Sequence, residues 1–328
     1  MECVYGAPFR GAALERLKGF LGSCGIRYDE GVEFSVCLRE GDALAASGSL
    51  DGNVLKCIAV SPARQNEGLT APVVTELIKE AFRRGRSHLF LFTKPEHRER
   101  FQELGFYPIS RTDEVLLMEN KKDGIQAFVA RLPRPPGDRI GAIVANCNPL
   151  TRGHLYLIET AAASCDVLHL FILSEDKSDF SAQARRDLAI RGTAHIPQVV
   201  VQPTGPYLIS AATFPDYFLK DPAAAREANG SLDLKIFAEH FARPLGIRRR
   251  FVGDEPYSPL TAAYNRRMRT SLPAYGIEVV EIPRLEAGGG PISASRVRAL
   301  FKAGDLEAIG TIVPPVTYRY LASLLSPS

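Results

Sequence analysis

Closely spaced cysteine pairs are missing from the sequence, although it contains six cysteines. Structural zinc sites and dense disulfide frameworks both need such pairs, so neither is indicated and no protein-bound metal is expected. Also missing is any apolar run near the ~20 residues that a membrane-spanning helix requires. Charged residues such as Arg10, Glu15 and Lys18 interrupt the amino-terminal stretch, which does not fit a secretory signal. We therefore expect a cytoplasmic protein with no membrane segment.

A strong charge of either sign is absent too. The net charge is +3 over 328 residues, which is too small to indicate a nucleic acid or a membrane surface as partner. Short basic clusters at residues 83–86 and 248–250 are typical of solvated faces, although one could serve an anionic substrate. Because 45% of the residues are hydrophobic, a chain of this length can bury more than one core, and we predict two domains.

The first part of the chain reads as a helix, then strands joined by tight turns, then a loop that leads into a helix over residues 69–84. In that loop, Gln65-x-x-Gly68-x-Thr70 resembles the GNAT acetyltransferase pattern Gln/Arg-x-x-Gly-x-Gly/Ala, which holds the pyrophosphate of coenzyme A on backbone N–H groups. A generic strand-turn-helix fits the same residues. Thr70 departs from the pattern because its side chain lies where the backbone should approach a phosphate, which counts against ordinary acetyl-CoA binding.

A linker is predicted where the chain reads Arg-Leu-Pro-Arg-Pro-Pro-Gly, over residues 131–137. Three prolines and a glycine in seven residues cannot continue a helix or a strand. We predict a GNAT-like α+β domain over residues 1–132, a linker over 133–138 and a second domain over 139–328.

The second domain opens with a predicted βαβ unit. An apolar run at residues 140–145 leads into an Asn/Pro segment, an amphipathic run follows, and a second apolar run covers residues 167–173. In such a unit the helix N-terminus lies beside the carboxyl end of the first strand, where anions bind. Lys177 follows the second strand and is placed to meet an anion or to stay solvated. The expected class is α/β, with a Rossmann-like doubly wound parallel sheet in this domain.

Two motifs in this domain point to a nucleotide. Thr151-Arg152-Gly153-His154 is the Thr/His-x-Gly-His signature of the nucleotidyltransferase superfamily. Ile292-Ser293-Ala294-Ser295-x-Val297-Arg298 resembles that superfamily's second signature, Ile-Ser-x-Ser/Thr-x-x-Arg/Lys. Each opens a predicted helix after a strand, with Ser293 as the N-cap of the second helix. Taken singly, His154 could be a capped surface imidazole and Ser293 a plain cap, but the ordered pair predicts a nucleotide site.

The residue types suit attack on the α-phosphate of a nucleotide, which needs positioned donors and cations. His154 Nε2–H and helix N–H groups would stabilise the α-phosphate. Arg298, with the hydroxyls of Ser293 and Ser295, would hold the leaving β and γ groups, and Mg²⁺ would bridge the phosphates. Gly153 would leave room for the nucleotide. A helix N-terminus disfavours an imidazolium whereas a bound polyphosphate favours it, so the charge state of His154 stays open.

The loop before the first signature departs from the superfamily. Many members have Gly-x-Phe-Asp-Pro there, whereas this chain has Ala-Asn-Cys-Asn-Pro at residues 145–149. Replacing the aspartate by Asn148 removes a negative charge, which suits an anionic nucleophile such as acetate. We predict that Asn146 and Asn148 contact the ligand; the alternative is that both only shape the turn.

A GNAT-like domain fused to a nucleotidyltransferase, with Thr-Phe-Pro-Asp-Tyr-Phe at 213–218 and Phe-Val-Gly-Asp-Glu-Pro-Tyr at 251–257, resembles the citrate lyase ligase family. The resemblance covers essentially the whole chain. It implies that ATP and acetate give acetyl-adenylate and pyrophosphate. The acetyl group then passes to the thiol of a CoA-derived prosthetic group on the citrate lyase acyl carrier subunit, and AMP is released.

The resemblance also implies roles for particular residues. Catalysis is assigned to His154, Arg298 and Lys177. Binding of the acceptor's prosthetic group is assigned to Gln65, Gly68 and Thr70, in which case a carrier-attached arm replaces free acetyl-CoA. The predicted nucleotide contacts are Asn146, Asn148, Thr151, Gly153, Gly253, Ile292, Ser293 and Ser295.

Three rival functions stay open at this point. One is an adenylyltransferase that joins AMP to a phosphorylated acceptor such as phosphopantetheine. Another is a non-catalytic partner that binds only nucleotide or carrier protein. A plain acetyltransferase is the third, with Thr70 against it. The sequence leaves open whether acetate or a slightly larger carboxylate is used, and which group deprotonates the thiol.

Overall fold

The computed structural model describes residues 1–175, 178–208, 222–255, 258–286 and 291–325. Lys177 and the string at 213–218 lie outside the described residues, as do the last two positions of the string at 251–257. The chain divides into two compact units, Met1–Gly124 with Phe214–Leu232, and Ile125–Thr213 with Asp233–Ser328. The predicted domain limits at 132 and 139 stay predictions.

Residues 1–124 of the first unit form one sheet with helices α1, α2 and α3. Its elements are β1 Glu2–Gly6, α1 Gly11–Ser23, β2 Phe34–Glu40, β3 Ala43–Asp51, β4 Val54–Val60, α2 Thr70–Arg83, β5 Phe90–Thr93, α3 Arg98–Glu103, β6 Tyr107–Arg111 and β7 Leu116–Glu119. Short 3₁₀ turns cover Pro62–Arg64 and Pro95–His97. The strand order is β1-β2-β3-β4-β5-β7-β6. The predicted helix after the Gln65 loop is α2, whose buried Val73, Val74 and Leu77 join the sheet in one core.

Neighbouring strands of this sheet are antiparallel except β4 and β5, which are parallel. The register of β4 against β3 shifts near Cys57, whose φ of 50° marks a bulge. Bulges bend a strand and interrupt its pairing. Accordingly, β4 pairs with β5 at only two positions, Val54 with Phe90 and Leu55 with Leu91. Beyond them the carboxyl ends of both strands line a cavity. This arrangement agrees with the GNAT-like α+β class predicted for the region.

The elements of the remaining chain begin with α4 Gly124–Ala130. They continue with β8 Ile140–Ala145, α5 Arg152–Ala162, β9 Val167–Ile172, α6 Ala182–Gly192, β10 Val199–Pro203 and α7 Pro222–Ile236, which runs on as a π-helix over Phe237–Ala242 and as α8 Arg243–Leu245. Last come β11 Arg249–Gly253, α9 Pro259–Ser271, a 3₁₀ turn Leu272–Tyr275, β12 Glu278–Ile282, α10 Ala294–Lys302, α11 Leu306–Ile312 and α12 Pro315–Leu325.

The second sheet is parallel throughout, in the order β10-β9-β8-β11-β12. Alternate residues of a strand point to opposite faces of a sheet, and both faces of this sheet are covered by helices. Leu168 and Leu170 share a core with residues of α5 and α6, whereas Phe171 meets Phe241 of the π-helix edge-on at 5.5 Å between ring centroids. The predicted doubly wound parallel sheet is confirmed.

The strand order reverses between β8 and β11, and ligands of open α/β sheets bind at such a switch point, outside the carboxyl ends of the strands. The first signature follows β8, and the second follows β12, the neighbour of β11. Over the described parts of the chain, no helix combines the length and the apolar character that crossing a bilayer requires.

Candidate active site

Helix α5 begins with a closed capping box. The Thr151 hydroxyl accepts a hydrogen bond from the His154 backbone N–H at 3.2 Å, and the backbone N–H of Thr151 donates to His154 Nδ1 at 3.1 Å. This reciprocal pattern satisfies backbone donors that the first helical turn leaves without partners. Thr151 is buried and His154 is partly exposed. The site therefore has an imidazole whose orientation is set by the helix it starts.

The hydrogen bond from the Thr151 N–H to His154 Nδ1 also determines which ring nitrogen carries the proton. Because Nδ1 accepts from the Thr151 N–H, the neutral tautomer carries its hydrogen on Nε2. Burial, with a further contribution from the Arg284 guanidinium, lowers the pKa of His154 from 6.5 to about 4. His154 is thus neutral at pH 7, with Nε2–H as a hydrogen-bond donor.

Asn148 holds two loops together. Its side-chain oxygen accepts from the Phe180 backbone N–H at 3.1 Å, and its amide nitrogen donates to Asp179 at 3.3 Å. Asn148 is only 6% exposed, and its peptide bond to Pro149 is cis. The amide thus connects the loop after β8 with the loop after β9, at the carboxyl ends of neighbouring strands.

Asn146 is tied to the same loop by a buried arginine. Arg185, which is fully buried, donates to the side-chain and backbone oxygens of Asn146 and to the carbonyls of Leu173 and Phe180. The Asn146 amide also donates to Ser178 at 3.2 Å. Both asparagines therefore make internal hydrogen bonds in this structure, as the turn-shaping alternative expects. Their predicted contact with a ligand stays a prediction.

Arg298 joins the second signature to the first. Its Nη1 donates to the Asn148 carbonyl at 2.7 Å, its Nη2 to the Ser295 hydroxyl at 3.2 Å, and its Nε lies 3.0 Å from Asp179. Arg298 is separated from Asn148 by 150 positions in the chain. An aromatic contact supports this junction, since Phe180 meets Phe301 of α10 at 5.9 Å. The structure thus brings together residues that the sequence could only pair by motif.

Gly153 makes a second junction. A Cβ atom built at Gly153 would lie 3.0 Å from the carbonyl oxygen of Ile292, so the glycine permits close approach of the two signatures. The sequence analysis predicted that Gly153 leaves room for a nucleotide. In the structure, the backbone of the second signature at Ile292 occupies the space next to Gly153. Ser293 caps α10 as predicted, because its hydroxyl accepts from the Arg296 N–H at 3.1 Å.

The carboxyl ends of β11 and β12 carry a further charged group. The backbone N–H and Nε of Arg284 donate to the Asp254 side chain and carbonyl, each at 2.8 Å, and its Nη2 pairs with Glu255. Gly253 ends β11, and its carbonyl accepts from the buried Asn265 amide at 2.9 Å. This group positions Arg284, the cation that adds to the lowering of the His154 pKa.

Sequence reasoning missed Asp179, Arg185 and Arg284. Asp179 lies at the carboxyl end of a strand, in the same loop as Lys177, so the rule that selected Lys177 could have selected it as well. Arg185 has no such signal, because a helical arginine reads as a solvated charge. Within the described ranges, no three His, Cys, Asp or Glu side chains are grouped to hold a metal ion.

The residues predicted to bind the acceptor line two cavities of the first unit, which share part of their lining. One, of about 180 Å³, lies between the carboxyl ends of β4 and β5, and the other, of about 310 Å³, lies at the start of α2. Gln65 and Thr70 line both cavities, and Gly68, with φ of +71°, lines the second. Thr70 is 7% exposed and is the first residue of α2. The three predicted residues are thus brought together in one place.

Comparisons with known proteins agree with this architecture. The family model described as citrate lyase ligase C-terminal domain matches residues 140–321. The chain is 44% identical over 317 residues to the citrate pro-3S-lyase ligase of Klebsiella pneumoniae, covering 94% of this chain and 93% of that protein. The same comparison with the Escherichia coli (strain K12) protein of that name gives 43% identity, with 94% and 90% covered. The chain therefore belongs to the citrate lyase ligase family.

Proposed function

We propose that this protein is an ATP-dependent ligase that activates acetate as acetyl-adenylate. It then transfers the acetyl group to the thiol of the CoA-derived prosthetic group on the citrate lyase acyl carrier subunit. Pyrophosphate leaves in the first step and AMP in the second. The relatives carry the name citrate pro-3S-lyase ligase, which supports the reaction class and the partner.

The observation that carries the proposal is the junction between the two signatures. Arg298 donates to the backbone of the Asn148 loop, and Gly153 approaches the Ile292 carbonyl. The N-termini of α5 and α10 are thereby held close together near the sheet's switch point, and each contributes the partial positive charge of a helix start. A polyphosphate needs positive charge and donors along its length.

In the first step an acetate oxygen attacks the α-phosphorus, and the bond to the leaving pyrophosphate breaks. His154 donates its Nε2–H to an α-phosphate oxygen, where negative charge accumulates in the transition state. The Thr151 cap fixes this donor before the substrate arrives, so little reorganisation is required. Arg298 holds the leaving pyrophosphate, together with the Ser293 and Ser295 hydroxyls. Lys177 is proposed as a further cation.

An anionic nucleophile benefits from a site of low negative charge. The loop residue is Asn148, an amide where many superfamily members have aspartate. The carboxylate nearest to it, Asp179, is paired with Arg298 at 3.0 Å and lies 3.7 Å from Lys302 Nζ. Acetate would therefore meet less repulsion here than in an adenylyltransferase with the usual loop.

Mg²⁺ bound together with ATP would neutralise part of the phosphate charge. In the second step, the acceptor's pyrophosphate and pantetheine arm would use the Gln65, Gly68 and Thr70 loop of the first unit.

The proposal is tested by incubating the protein with ATP, Mg²⁺ and acetate in the presence of hydroxylamine. Acetyl hydroxamate and pyrophosphate should form together. The carrier subunit, with its prosthetic group attached, should gain the mass of one acetyl group only when ATP is present. Absence of acetyl hydroxamate would refute the proposal that acetate is activated. Transfer of AMP to phosphopantetheine would favour the alternative function of an adenylyltransferase.

A further inference from the structure

The cavity between β4 and β5 carries chemistry that the proposed function has not assigned. Polar and apolar side chains share its lining, which includes Ile58 and Val60 from β4, Phe92 from β5, and residues of α3. It lies where β4, which has a bulge at Cys57, no longer pairs with β5. It adjoins the cavity at the start of α2 and shares Gln65 and Thr70 with it. A pantetheine arm anchored at the Gly68 loop can therefore place its thiol end here.

A thiol, an ammonium, an imidazole and a guanidinium line this cavity, from Cys24, Lys94, His97 and Arg100. The ammonium and the guanidinium are hydrogen-bond donors without an acceptor atom. Burial raises the pKa of Cys24, whose thiol donates to the Val60 carbonyl at 3.6 Å, so it stays protonated. The described lining contains no carboxylate. His97 is consequently the side chain of this lining that can accept a proton near pH 7.

The surroundings of His97 keep its imidazole neutral. Burial lowers its pKa below 6.5, and Arg100 and Lys94 lower it further, while Glu96 opposes them. Glu96 Oε1 lies 3.7 Å from His97 Nε2, which is too long for a hydrogen bond. The backbone of His97 is held in place, since its N–H donates to the Lys94 carbonyl at 3.0 Å. At pH 7 the ring is therefore neutral and can accept a proton, in a cavity that Lys94 and Arg100 also line.

We propose that His97 is the general base of the transfer step and takes the proton of the acceptor thiol in this cavity. The S–H proton moves to an imidazole nitrogen, and the sulfur forms a bond to the acetyl carbonyl carbon. The bond from that carbon to the AMP phosphate oxygen breaks, and AMP leaves with the electron pair. The imidazolium then releases its proton to water. Lys94 and Arg100 stabilise the thiolate as it forms, as nearby cations do for reactive thiols.

This assignment rests on the proposed function, and its test separates the two. Synthetic acetyl-adenylate and dephospho-CoA serve as probes of the transfer step, while acetate-dependent exchange of pyrophosphate into ATP reports the first step. For His97→Gln we expect the transfer rate at pH 7 to fall about 100-fold. Exchange should stay within twofold of wild type. A matched control is His195→Gln, because His195 is an exposed histidine paired with Glu159 and should leave both rates unchanged.

The pH profile gives a readout that a structural role would not change. With His97 neutral, the wild-type transfer rate should be flat above pH 6.5. The His97→Gln rate should instead rise about tenfold per pH unit toward the thiol pKa of ~8.5. Added imidazole should partly restore His97→Ala.

Two results would overturn the assignment of His97. One is a wild-type transfer rate that rises tenfold from pH 7 to pH 8. This measurement uses only the wild-type protein, so it does not depend on whether a variant folds. The other is a His97→Gln enzyme with wild-type transfer and normal exchange. Failure of the wild type to exchange pyrophosphate would instead refute the proposed function itself.

Discussion

Helices α2 and α5 both begin after a loop that follows a strand, but they differ in how the backbone N–H groups of the first turn are capped. At α5, Thr151 and His154 cap each other, so side chains satisfy the backbone and the imidazole is locked. At α2, the N-cap is Leu69, and no side chain caps the helix. Within the first turn of α2, the Ala71 N–H donates to the Gly68 carbonyl at 3.2 Å and Pro72 has no N–H. The Thr70 N–H is a donor that water or a ligand can satisfy.

This difference separates two tasks. A locked ring with a single outward donor suits a reacting phosphate, where geometry decides the rate. An uncapped turn beside Gly68 and a cavity suits the binding of an anion that does not react, such as the pyrophosphate of a carrier arm. We expect changes at α5 to affect adenylate formation and changes at α2 to affect use of the acceptor.

The largest effect is expected from His154→Ala. Removing the Nε2–H donor should lower acetate-dependent pyrophosphate exchange by about 10² to 10³ fold, the usual loss for a donor to a developing charge. Circular dichroism should show that the fold is retained, and His195→Ala should exchange normally. Exchange within threefold of wild type would contradict the role given to α5.

Arg298→Lys should have the next largest effect. A lysine cannot reproduce the three contacts with Asn148, Ser295 and Asp179, because its ammonium lacks the planar fork of arginine. Pyrophosphate exchange should fall about 10 to 100 fold, at roughly 1.4 kcal/mol of barrier per factor of ten. Arg296→Lys, two positions earlier in the same helix, is the matched control. An equal loss of pyrophosphate exchange in Arg298→Lys and Arg296→Lys would contradict a specific role for the contacts of Arg298.

Lowering the pH should reduce the stability that the cap of α5 contributes, because the cap uses a neutral His154 ring. Because the folded-state pKa of His154 is about 4 and the reference value is 6.5, the unfolded chain takes up a proton first as the pH falls. The stability contributed by the neutral ring is complete above about pH 6.5 and is lost down to about pH 4, amounting to about 1 to 2 kcal/mol for a partly exposed ring.

Denaturant unfolding of wild type and His154→Gln at pH 7, 5 and 4 measures this contribution. The variant should lose less stability than wild type over that range. The comparison between the two is needed because burial also lowers the pKa of His169 to about 4, which acts in the same window. Parallel curves would show that the cap does not depend on the neutral ring.

The smallest effect is expected at α2, from Gly68→Ala. Gly68 has φ of +71°, which costs an alanine about 1 kcal/mol. The shifted loop should raise the KM for dephospho-CoA about threefold to tenfold without changing pyrophosphate exchange. Gly85→Ala provides the same backbone strain at φ +74°, at the other end of the helix, and should leave that KM unchanged. Equal KM values in the two variants would contradict a binding role for the loop.

Local patterns were sufficient for the strands and helices that carry the motifs. The apolar runs at 140–145 and 167–173, the cap at Ser293 and the helix after Gln65 are each set by residues within a few positions of one another. By contrast, β6, Tyr107–Arg111, is short, and its pairing with β7 includes a register shift between Pro108 and Ser110. No local pattern predicts such pairing.

For the site, the sequence by itself determined which residue types stand at the two helix starts, and from these short strings a nucleotide site is predicted. Only the tertiary structure decided how they meet. The partners of Arg298 include a carbonyl 150 positions away, Asn148 binds the loop at Asp179, and His97 lines a cavity beside the bulged strand β4. Such contacts depend on strand order and packing, which no local periodicity encodes.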